Sequence, residues 1–395
     1  MVRVIFCFCL LLGMGVAVYA DWEVVLHEKR RHVTLESLAD FYALKIEPPN
    51  GKKVILSDRY RSIRLEAGSR EVFINNVKFI LCFPVVSKNG RTLISAMDVT
   101  KIIEPVMRPG KIKDAGPLKT IVLDAGHGGH DSGATSIYGK EKDFTLDVVL
   151  RARKLLQEKG FIVYLTRSRD VFISLEARVR MANRFRNGLF ISVHFNKSNN
   201  PGASGIETYA LAPRGVPSMD EASVRVSDLR QHPGNARDPE NITLATLIHS
   251  AMLKNLRLYD RGIKRARFVV IRDITIPGVL LEGGFVNHPL DGRTMTTPAY
   301  RQRMAQSIVE GVLNYQRLVA GQRDAKPSLV VTPPLPSPSP TPTPAPTESS
   351  PTPSTPSSSP TPVRAAPETD SSSDQKSDAS PQASPPPQDA QKKEK

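Results

Sequence analysis

Three polar clusters, each directly after a short apolar stretch, contain the residues best suited to chemistry. The clusters are residues 124–130, 193–196 and 281–284. In an open α/β sheet, functional groups gather beyond the carboxyl ends of the strands. If each apolar stretch is a strand, His127, His194 and Glu282 can meet although they lie far apart in the chain.

Two imidazoles and a carboxylate are suitable ligands for a catalytic zinc ion, which takes three protein ligands and keeps a fourth position for water. Glycines around His127 would let the backbone approach the ion closely. A further polar group there could act as general base. The residues after 118 also include other histidines: His130, His232, His249 and His288. From spacing alone, two interpretations remain: His127 and His194 bind a metal, or they are unrelated histidines of the surface or core.

The elements that would position these clusters alternate between strand and helix. The pattern predicts strands near residues 120–123, 161–165, 189–192, 268–271 and 279–281. It predicts helices at 143–159, capped by Asp143, and from Ser174 to about 185, with a final helix opening at Thr297 and Pro298. Residues 119–320 are therefore expected to form an α/β catalytic domain, with a mostly parallel central sheet flanked by helices on both faces.

The preceding region, residues 21–108, reads as a small β-rich domain. Asn75-Asn76 and Asn89-Gly90 are hairpin turn signals between apolar runs. A short helix is expected at 35–44. No catalytic cluster appears here, which favours a positioning or wall-binding module over a second enzyme. Residues 109–118 are bounded by Pro-Gly and Gly-Pro pairs and are predicted to be a linker.

Both ends of the chain differ in composition from its centre. Residues 1–20 have the basic start, apolar stretch and small final residue of a secretory signal, and the apolar run is short for a membrane anchor. Cleavage would leave Cys82 as the one cysteine and no stable membrane insertion. Residues 327–395 are rich in Pro, Ser and Thr and are predicted to be a disordered tail.

The charge balance points to anionic partners. The net charge is +15, and the tail carries more acidic than basic residues, so the remainder is more basic still. A basic, exported chain suits anionic wall polymers or membrane surfaces. Export argues against nucleic acid, and the absence of a wall-sorting pattern favours the periplasm over the extracellular space.

An ordered set of motifs resembles the zinc-dependent N-acetylmuramoyl-L-alanine amidase family, the catalytic domain called amidase type 3. The resemblance spans about residues 121–318, half of the chain. Its motifs are 121–129 with 131–134, Glu141-Lys142-Asp143, 166–170 with Leu175, Arg178 and Ala182-Asn183, 189–196, 205–208, 260–264 and 279–285. Each motif is modest, but seven in the same order are specific.

The resemblance implies that His127, Glu141 and His194 bind zinc and that Glu282 is the catalytic carboxylate. Glu141 enters only through the family; by itself it reads as a solvated carboxylate at a helix start. The implied reaction hydrolyses the amide between N-acetylmuramic acid and the L-alanine of the peptidoglycan stem peptide. The alternatives are a zinc peptidase acting on wall peptides and a catalytically silent peptidoglycan-binding protein.

The sequence departs from the family pattern at two places, one residue and one longer segment. Phe195 stands where a smaller residue is usual, and could narrow the groove or pack beneath it. Residues 213–241 are longer than the simplest members require. Some relatives carry a segment here that covers the zinc until a partner removes it. This suggests either a mobile lid with an activator protein or a passive surface loop.

Overall fold

The computed structural model describes residues 22–48, 50–112, 118–219 and 223–320. The predicted signal at 1–20, the predicted tail at 327–395 and residues 113–117 of the predicted linker lie outside these residues. The domain boundaries therefore stay predictions. Among the described residues, no helix combines the length and apolarity needed to cross a bilayer.

The amino-terminal part consists mainly of short strands. These are β1 (Val24–His27), β2 (Arg30–Thr34), β3 (Lys45–Ile46), β4 (Lys53–Ser57), β5 (Ser62–Glu66), β6 (Glu71–Ile74), β7 (Val77–Ile80), β8 (Val86–Lys88) and β9 (Arg91–Ser95). Its helices are α1 (Leu35–Tyr42), α2 (Ala96–Asp98) and α3 (Glu104–Met107), the last two joined by a π-helical turn, followed by a 3₁₀ turn at Pro109–Lys111. Both predicted hairpins and the predicted helix are confirmed.

The following part alternates between strand and helix. Its strands are β10 (Thr120–Ala125), β11 (Thr135–Ser136), β12 (Gly139–Lys140), β13 (Ile162–Leu165), β14 (Gly188–Asn196), β15 (Ile206–Leu211), β16 (Asp260–Ala266) and β17 (Gly278–Phe285). Its helices are α4 (Glu141–Glu158), α5 (Leu175–Ala182), α6 (Asp238–Leu256), α7 (Val269–Arg272), α8 (Pro289–Met295) and α9 (Pro298–Val319), with 3₁₀ turns at Val226–Leu229 and Pro233–Arg237.

One large sheet runs through both parts, in the order β13-β10-β14-β17-β15-β16-β7-β6-β5-β4-β3. Strands β13, β10, β14 and β17 pair in parallel, as predicted. However, β15 runs antiparallel to β17, and β3 to β7 form antiparallel hairpins. Within residues 119–320, four of the five strand pairs of this sheet are parallel, as predicted; the whole sheet is mixed because β15 is reversed and the amino-terminal hairpins join it. Strands β1, β2, β9 and β8 form a separate sheet.

Helices cover both faces of the strands that surround the three polar clusters. Helices α4, α6 and α9 pack on one face in a core that continues into the amino-terminal strands. Helices α5 and α7 pack on the other face in a smaller core. The alternation of side chains along β14 places Phe190 in the smaller core and Ile191 in the larger one. Both faces are therefore apolar, as a covered sheet requires.

The helix boundaries differ from prediction at informative places. Ser174 caps α5 and Thr297 caps α9, as expected. Helix α4 begins at Glu141 rather than at Asp143, and Lys140 at its N-cap makes no side-chain cap bond. The apolar stretch 268–271 was predicted as a strand but forms the short helix α7. Apolar runs of this length suit a buried strand or a buried helix equally well.

Candidate metal centre

The first and second polar clusters meet because their strands are parallel neighbours in register. Ala125, the last residue of β10, pairs with Val193 on β14. His127 follows two residues after β10, and His194 lies one residue beyond the paired Val193. Both imidazoles therefore lie at the edge of the sheet where these strands end. Glu141 reaches the same edge as the first residue of α4.

The three side chains predicted as metal ligands converge at this edge. Glu141 Oε1 lies 2.9 Å from His194 Nδ1 and 3.1 Å from His127 Nε2. One nitrogen or oxygen from each residue lies within 4.8 Å of the other two. Within the part of the chain that the structure describes, no other three His, Cys, Asp or Glu residues converge in this way.

The convergence point is buried but reachable. Glu141 is 1% exposed and His194 is 7% exposed. The His127 side chain keeps 15% of its surface exposed. The site therefore excludes most water while leaving one approach beside His127.

Hydrogen bonds to neighbouring groups orient each of the three side chains. Asp131 Oδ2 lies 2.8 Å from His127 Nδ1, so the ring donates to this carboxylate and turns the lone pair of Nε2 toward Glu141. Carboxylates commonly orient metal-binding histidines in this way. The backbone N–H groups of Ala134 and Phe195 donate to the two oxygens of Glu141. Asp131 was part of a motif, but this role was not predicted.

The charges of the cluster compensate one another. Burial by itself lowers the pKa of His127, but the adjacent carboxylate of Glu141 and the hydrogen bond to Asp131 outweigh it and raise that pKa above its ordinary value. Burial raises the pKa of Glu141, but the two imidazoles more than offset this, so that its pKa lies well below the usual range. Glu141 is therefore ionised. A divalent cation would supply the compensation that the imidazoles give here.

Glycines make the close approach possible. A Cβ on Gly126 would lie 2.3 Å from His194 Cε1, and a Cβ on Gly133 would lie 2.5 Å from His127 Cδ2. Larger residues at either position would therefore displace an imidazole. His127 itself has a φ of 60°, a left-handed conformation that costs free energy in a residue other than glycine.

Two buried arginines stabilise this strained loop. Arg167 donates from Nε to the carbonyl of Ala125 and from Nη2 to the carbonyl of Gly126. Arg178 donates to the carbonyl of His127 and to the Asp124 carboxylate. Burial raises the pKa of Asp124, but Arg178 and two hydroxyl donors more than offset this and lower it. The loop is thus held by charge-assisted hydrogen bonds.

Glu282 lies beside the cluster on the neighbouring strand. Its Cα pairs with that of His194 across β14 and β17, and its side chain is fully buried. Directly paired residues point to the same face of a sheet, about 5 Å apart. The structure therefore brings together all four residues that were predicted from the sequence.

The neighbouring Phe195 packs beneath the site. It is fully buried on the opposite face of β14, with its ring 5.9 Å from that of Phe144. Of the two readings of this residue, packing is the one observed.

The described parts of the segment at 213–241, residues 213–219 and 223–241, begin at the opposite edge of the sheet from these residues. Strand β15 runs antiparallel to β17, so it ends at the opposite edge of the sheet. From there, Asp228 pairs with Arg267, and Asn241 accepts from Gly278 N at the start of β17. The described part of the segment is thus anchored far from His194. Of the two alternatives, these contacts favour a surface segment over a lid near the groove. The sequence left both open because it does not give the direction of β15.

The other histidines also lie outside the cluster. His249 is fully buried between Thr208 and Asp260, and His130 packs against Phe172. His288 caps α8, and His232 faces Asp273 at 3.8 Å. Spacing alone could not separate these from the two ligands, because β-strand pairing decides which histidines meet.

Comparisons with known proteins identify the family. A family model for N-acetylmuramoyl-L-alanine amidase matches residues 121–314. The N-acetylmuramoyl-L-alanine amidase AmiA of Escherichia coli K12 is 33% identical over 227 residues, which cover 52% of this chain and 78% of that protein. The uncharacterized protein YqiI of Bacillus subtilis 168 is 36% identical over 197 residues, covering 50% and 84%.

A solved structure is also similar to this chain. It is the catalytic domain of the amidase CwlV from Bacillus (Paenibacillus) polymyxa, at 31% identity and a TM-score of 0.43, covering 51% of this chain and 99% of that one. The resemblance predicted from the ordered motifs is confirmed by the family match and the relatives. The chain belongs to the N-acetylmuramoyl-L-alanine amidase family.

Proposed function

We propose that this protein is a zinc-dependent N-acetylmuramoyl-L-alanine amidase that acts on peptidoglycan. The observation that carries the proposal is the meeting of His127, Glu141 and His194 within 4.8 Å, with Glu282 on the adjacent strand. Family membership supports the reaction class. The proposal assigns His127, Glu141 and His194 as metal ligands and Glu282 as the catalytic carboxylate.

The donor set of this chain fits zinc. Two imidazole nitrogens and one carboxylate leave a fourth position open in a tetrahedral site. Asp131 supports this fit, because it gives His127 the tautomer whose Nε2 can bind a metal. When bound, zinc would polarise the scissile carbonyl and lower the pKa of a water molecule toward neutrality.

Glu282 would move the protons of the reaction. Its carboxylate would accept a proton from the attacking water and then deliver it to the nitrogen of the departing L-alanine. Position supports this role, since Glu282 pairs with His194 and shares its face of the sheet. Burial excludes competing solvent, which strengthens the interaction of this carboxylate with developing positive charge.

The place of action is also part of the proposal. The leader-like pattern at residues 1–20 supports export, and the basic net charge suits an anionic wall polymer. We therefore assign the protein to the periplasm. An activator protein stays a prediction, because the segment on which it was based lies at the other edge of the sheet.

The test is digestion of purified peptidoglycan by the purified chain, with and without a chelator, followed by chromatography and mass spectrometry. We expect release of intact stem peptides that begin with L-alanine, loss of release with chelator, and recovery with added zinc. Fragments cut within the peptide would instead support a zinc peptidase. No products at any zinc concentration would support a silent binding protein.

The role of Glu282 is tested by Glu282→Gln, with Glu158→Gln as the matched control. Glu158 is exposed at the far end of α4. We expect Glu282→Gln to retain bound zinc but to lose nearly all turnover, and Glu158→Gln to behave as wild type. Retained turnover in Glu282→Gln would remove Glu282 from the mechanism.

A further inference from the structure

A β-bulge next to the candidate metal centre brings two cationic side chains to the same carboxylate. Between β15 and β16 the register shifts, so that the step from Ile206 to Thr208 faces the longer step from Asp260 to Ile263. Gly262, within this bulge, has a φ of 93°. Residues three apart on a regular strand point to opposite faces. Because of the bulge, Arg261 and Lys264 instead lie on the same face.

Both of these cations bond Glu207. Arg261 Nε and Lys264 Nζ each lie 2.6 Å from Glu207 Oε1. The other oxygen of Glu207 accepts from the Tyr209 hydroxyl and from Asn196 Nδ2. Glu207 is buried and pairs across the strands with Glu282. A rigid ionic cluster thus lies directly beside the proposed catalytic carboxylate.

The two cations differ in their exposure. The Lys264 side chain is 10% exposed, whereas that of Arg261 is 30% exposed. Arg261 uses Nε for Glu207, and among the described residues neither of its Nη groups has a hydrogen-bond partner. Lys264 is therefore held within the cluster by its bond to Glu207. The two Nη groups of Arg261 remain available as hydrogen-bond donors.

The guanidinium of Arg261 also reaches toward the site. It lies over the ring of Phe285, 5.0 Å from the centroid, although β15 separates β16 from β17. Phe285 is three residues beyond Glu282 on β17. Stacking on an aromatic ring and a bond at Nε hold the guanidinium in one orientation. Its position is thus set before any ligand arrives.

We infer that Arg261 is a specificity residue that binds a carboxylate on the peptide side of an acidic wall peptide. This inference rests on the proposed function and states which part of the substrate Arg261 recognises. A guanidinium with two open donors matches a carboxylate fork, whereas the hydroxyl and acetamide groups of a glycan are neutral.

The spacing of the strands fits this assignment. Two strand steps separate β17 from β16, about 10 Å at the usual spacing of neighbouring strands. An extended peptide spans about 3.3–3.6 Å per residue. The first two or three residues after the scissile bond therefore reach from Glu282 to Arg261.

The test compares two synthetic muramoyl tripeptides, one with free carboxylates on its second and third residues and one with these groups amidated. A hydrogen bond to a charged group is worth about 1.5–3 kcal/mol, or about 10- to 100-fold. We expect wild type to cleave the free acid with a kcat/KM at least about tenfold higher. In Arg261→Gln this ratio should fall to about one, whatever loss both substrates share because the bond to Glu207 is removed.

Two further variants separate recognition from structural support. Arg261→Lys keeps the charge without the fork and should retain part of the preference. Lys264→Gln, the matched control on the same oxygen of Glu207, should slow both substrates equally and preserve their ratio. Equal loss on both substrates in Arg261→Gln would show that Arg261 is merely structural.

The wild-type measurement alone can also overturn the inference. Cleavage of both compounds at equal rates would reject carboxylate recognition and leave the amidase function intact. Cleavage of neither compound, together with no release from peptidoglycan, would reject the proposed function and the inference with it.

Discussion

Two buried groups in this protein use histidine and carboxylate side chains in different ways. In the metal centre, His127 and His194 face Glu141, and one side chain keeps contact with solvent. In the other group, His249 lies between Thr208 and Asp260 with no exposure. The residue types are nearly the same, and both groups are made by distant parts of the chain.

The second group offers no position to a metal or substrate, because neighbouring protein groups bond both nitrogens of its histidine and both oxygens of its aspartate. His249 Nδ1 is 2.9 Å from the Thr208 hydroxyl, and Nε2 is 2.9 Å from Asp260 Oδ1. Asp260 also accepts from the backbone N–H groups of Lys78 and Gly262. The group thereby ties β7 of the amino-terminal part to β16 and α6.

The comparison shows that residue type alone does not make a reactive site. The side chains must also converge, and one side of the group must be open to solvent. A Thr-His-Asp order looks like a nucleophilic triad, yet all three of its side chains are buried, whereas the metal centre keeps a partly exposed member in His127. The metal centre instead has glycines that clear space, an outer carboxylate that orients one ring, and an open side.

The largest expected effect is loss of metal and activity in Glu141→Gln. Even a partner outside the ligand set is worth 10- to 100-fold in metal affinity, so loss of a ligand should exceed about 100-fold. Elemental analysis should find little zinc, turnover should fall with it, and circular dichroism should show a retained fold. A variant that bound zinc normally would exclude Glu141 as a ligand.

The second group should respond in the opposite way. His249→Ala leaves the Asp260 carboxylate buried without its imidazole partner, which costs about 3–5 kcal/mol in the free energy of unfolding. Urea denaturation should show this loss, while the zinc content and kcat of the folded protein stay normal. Loss of zinc without loss of stability would mean that the two groups are coupled.

Asp98, a third buried carboxylate, gives a pH test. Burial raises its pKa to about 6, although the N–H groups of Cys82 and Phe83 donate to it. The folded state then binds more protons than the unfolded state between about pH 4 and 6, so stability falls as the pH rises through this window.

The size of this effect follows from the shift. Two pKa units correspond to about 3 kcal/mol. The free energy of unfolding of wild type should therefore decrease by up to about 3 kcal/mol from pH 4 to 7, relative to the same change in Asp98→Asn. Parallel pH profiles for the two proteins would contradict the raised pKa.

The smallest effect is expected for the outer carboxylate of the metal centre. Asp131→Ala should weaken zinc binding about 10- to 100-fold, because His127 loses the partner that sets its tautomer. Competition with a chelator measures this affinity, and saturating zinc should restore most turnover. Asp131→Asn keeps an acceptor and should lie between wild type and alanine. Unchanged affinity in both variants would limit Asp131 to a packing role.

Turns and helix starts were predicted correctly, because each is determined by a few adjacent residues. The turns at Asn75-Asn76 and Asn89-Gly90, the cap at Ser174 and the start at Thr297 all appear as expected. Each depends on a few adjacent residues and a backbone conformation that they favour. Helix α6 was missed because it is buried almost all round and shows no amphipathic stripe.

The candidate site was predicted in two different ways. His127, His194 and Glu282 follow from polar clusters after apolar strands, and ordered motifs tied them to a family. Glu141 came from the resemblance alone, since nothing local distinguishes it from a solvated carboxylate at a helix start. Asp131 and Arg261 stood within quoted motifs, but their partners could be seen only in three dimensions.

The sequence by itself determined the alternation of elements, the residue types at the strand ends and the family. Tertiary structure alone decided that β15 runs antiparallel to β17, which places the carboxyl end of β15 at the far edge of the sheet and Glu207 beside Glu282. It also decided that a bulge brings Arg261 and Lys264 to one face. Strand direction and register depend on pairing between distant segments, and a one-residue shift reverses every side chain that follows.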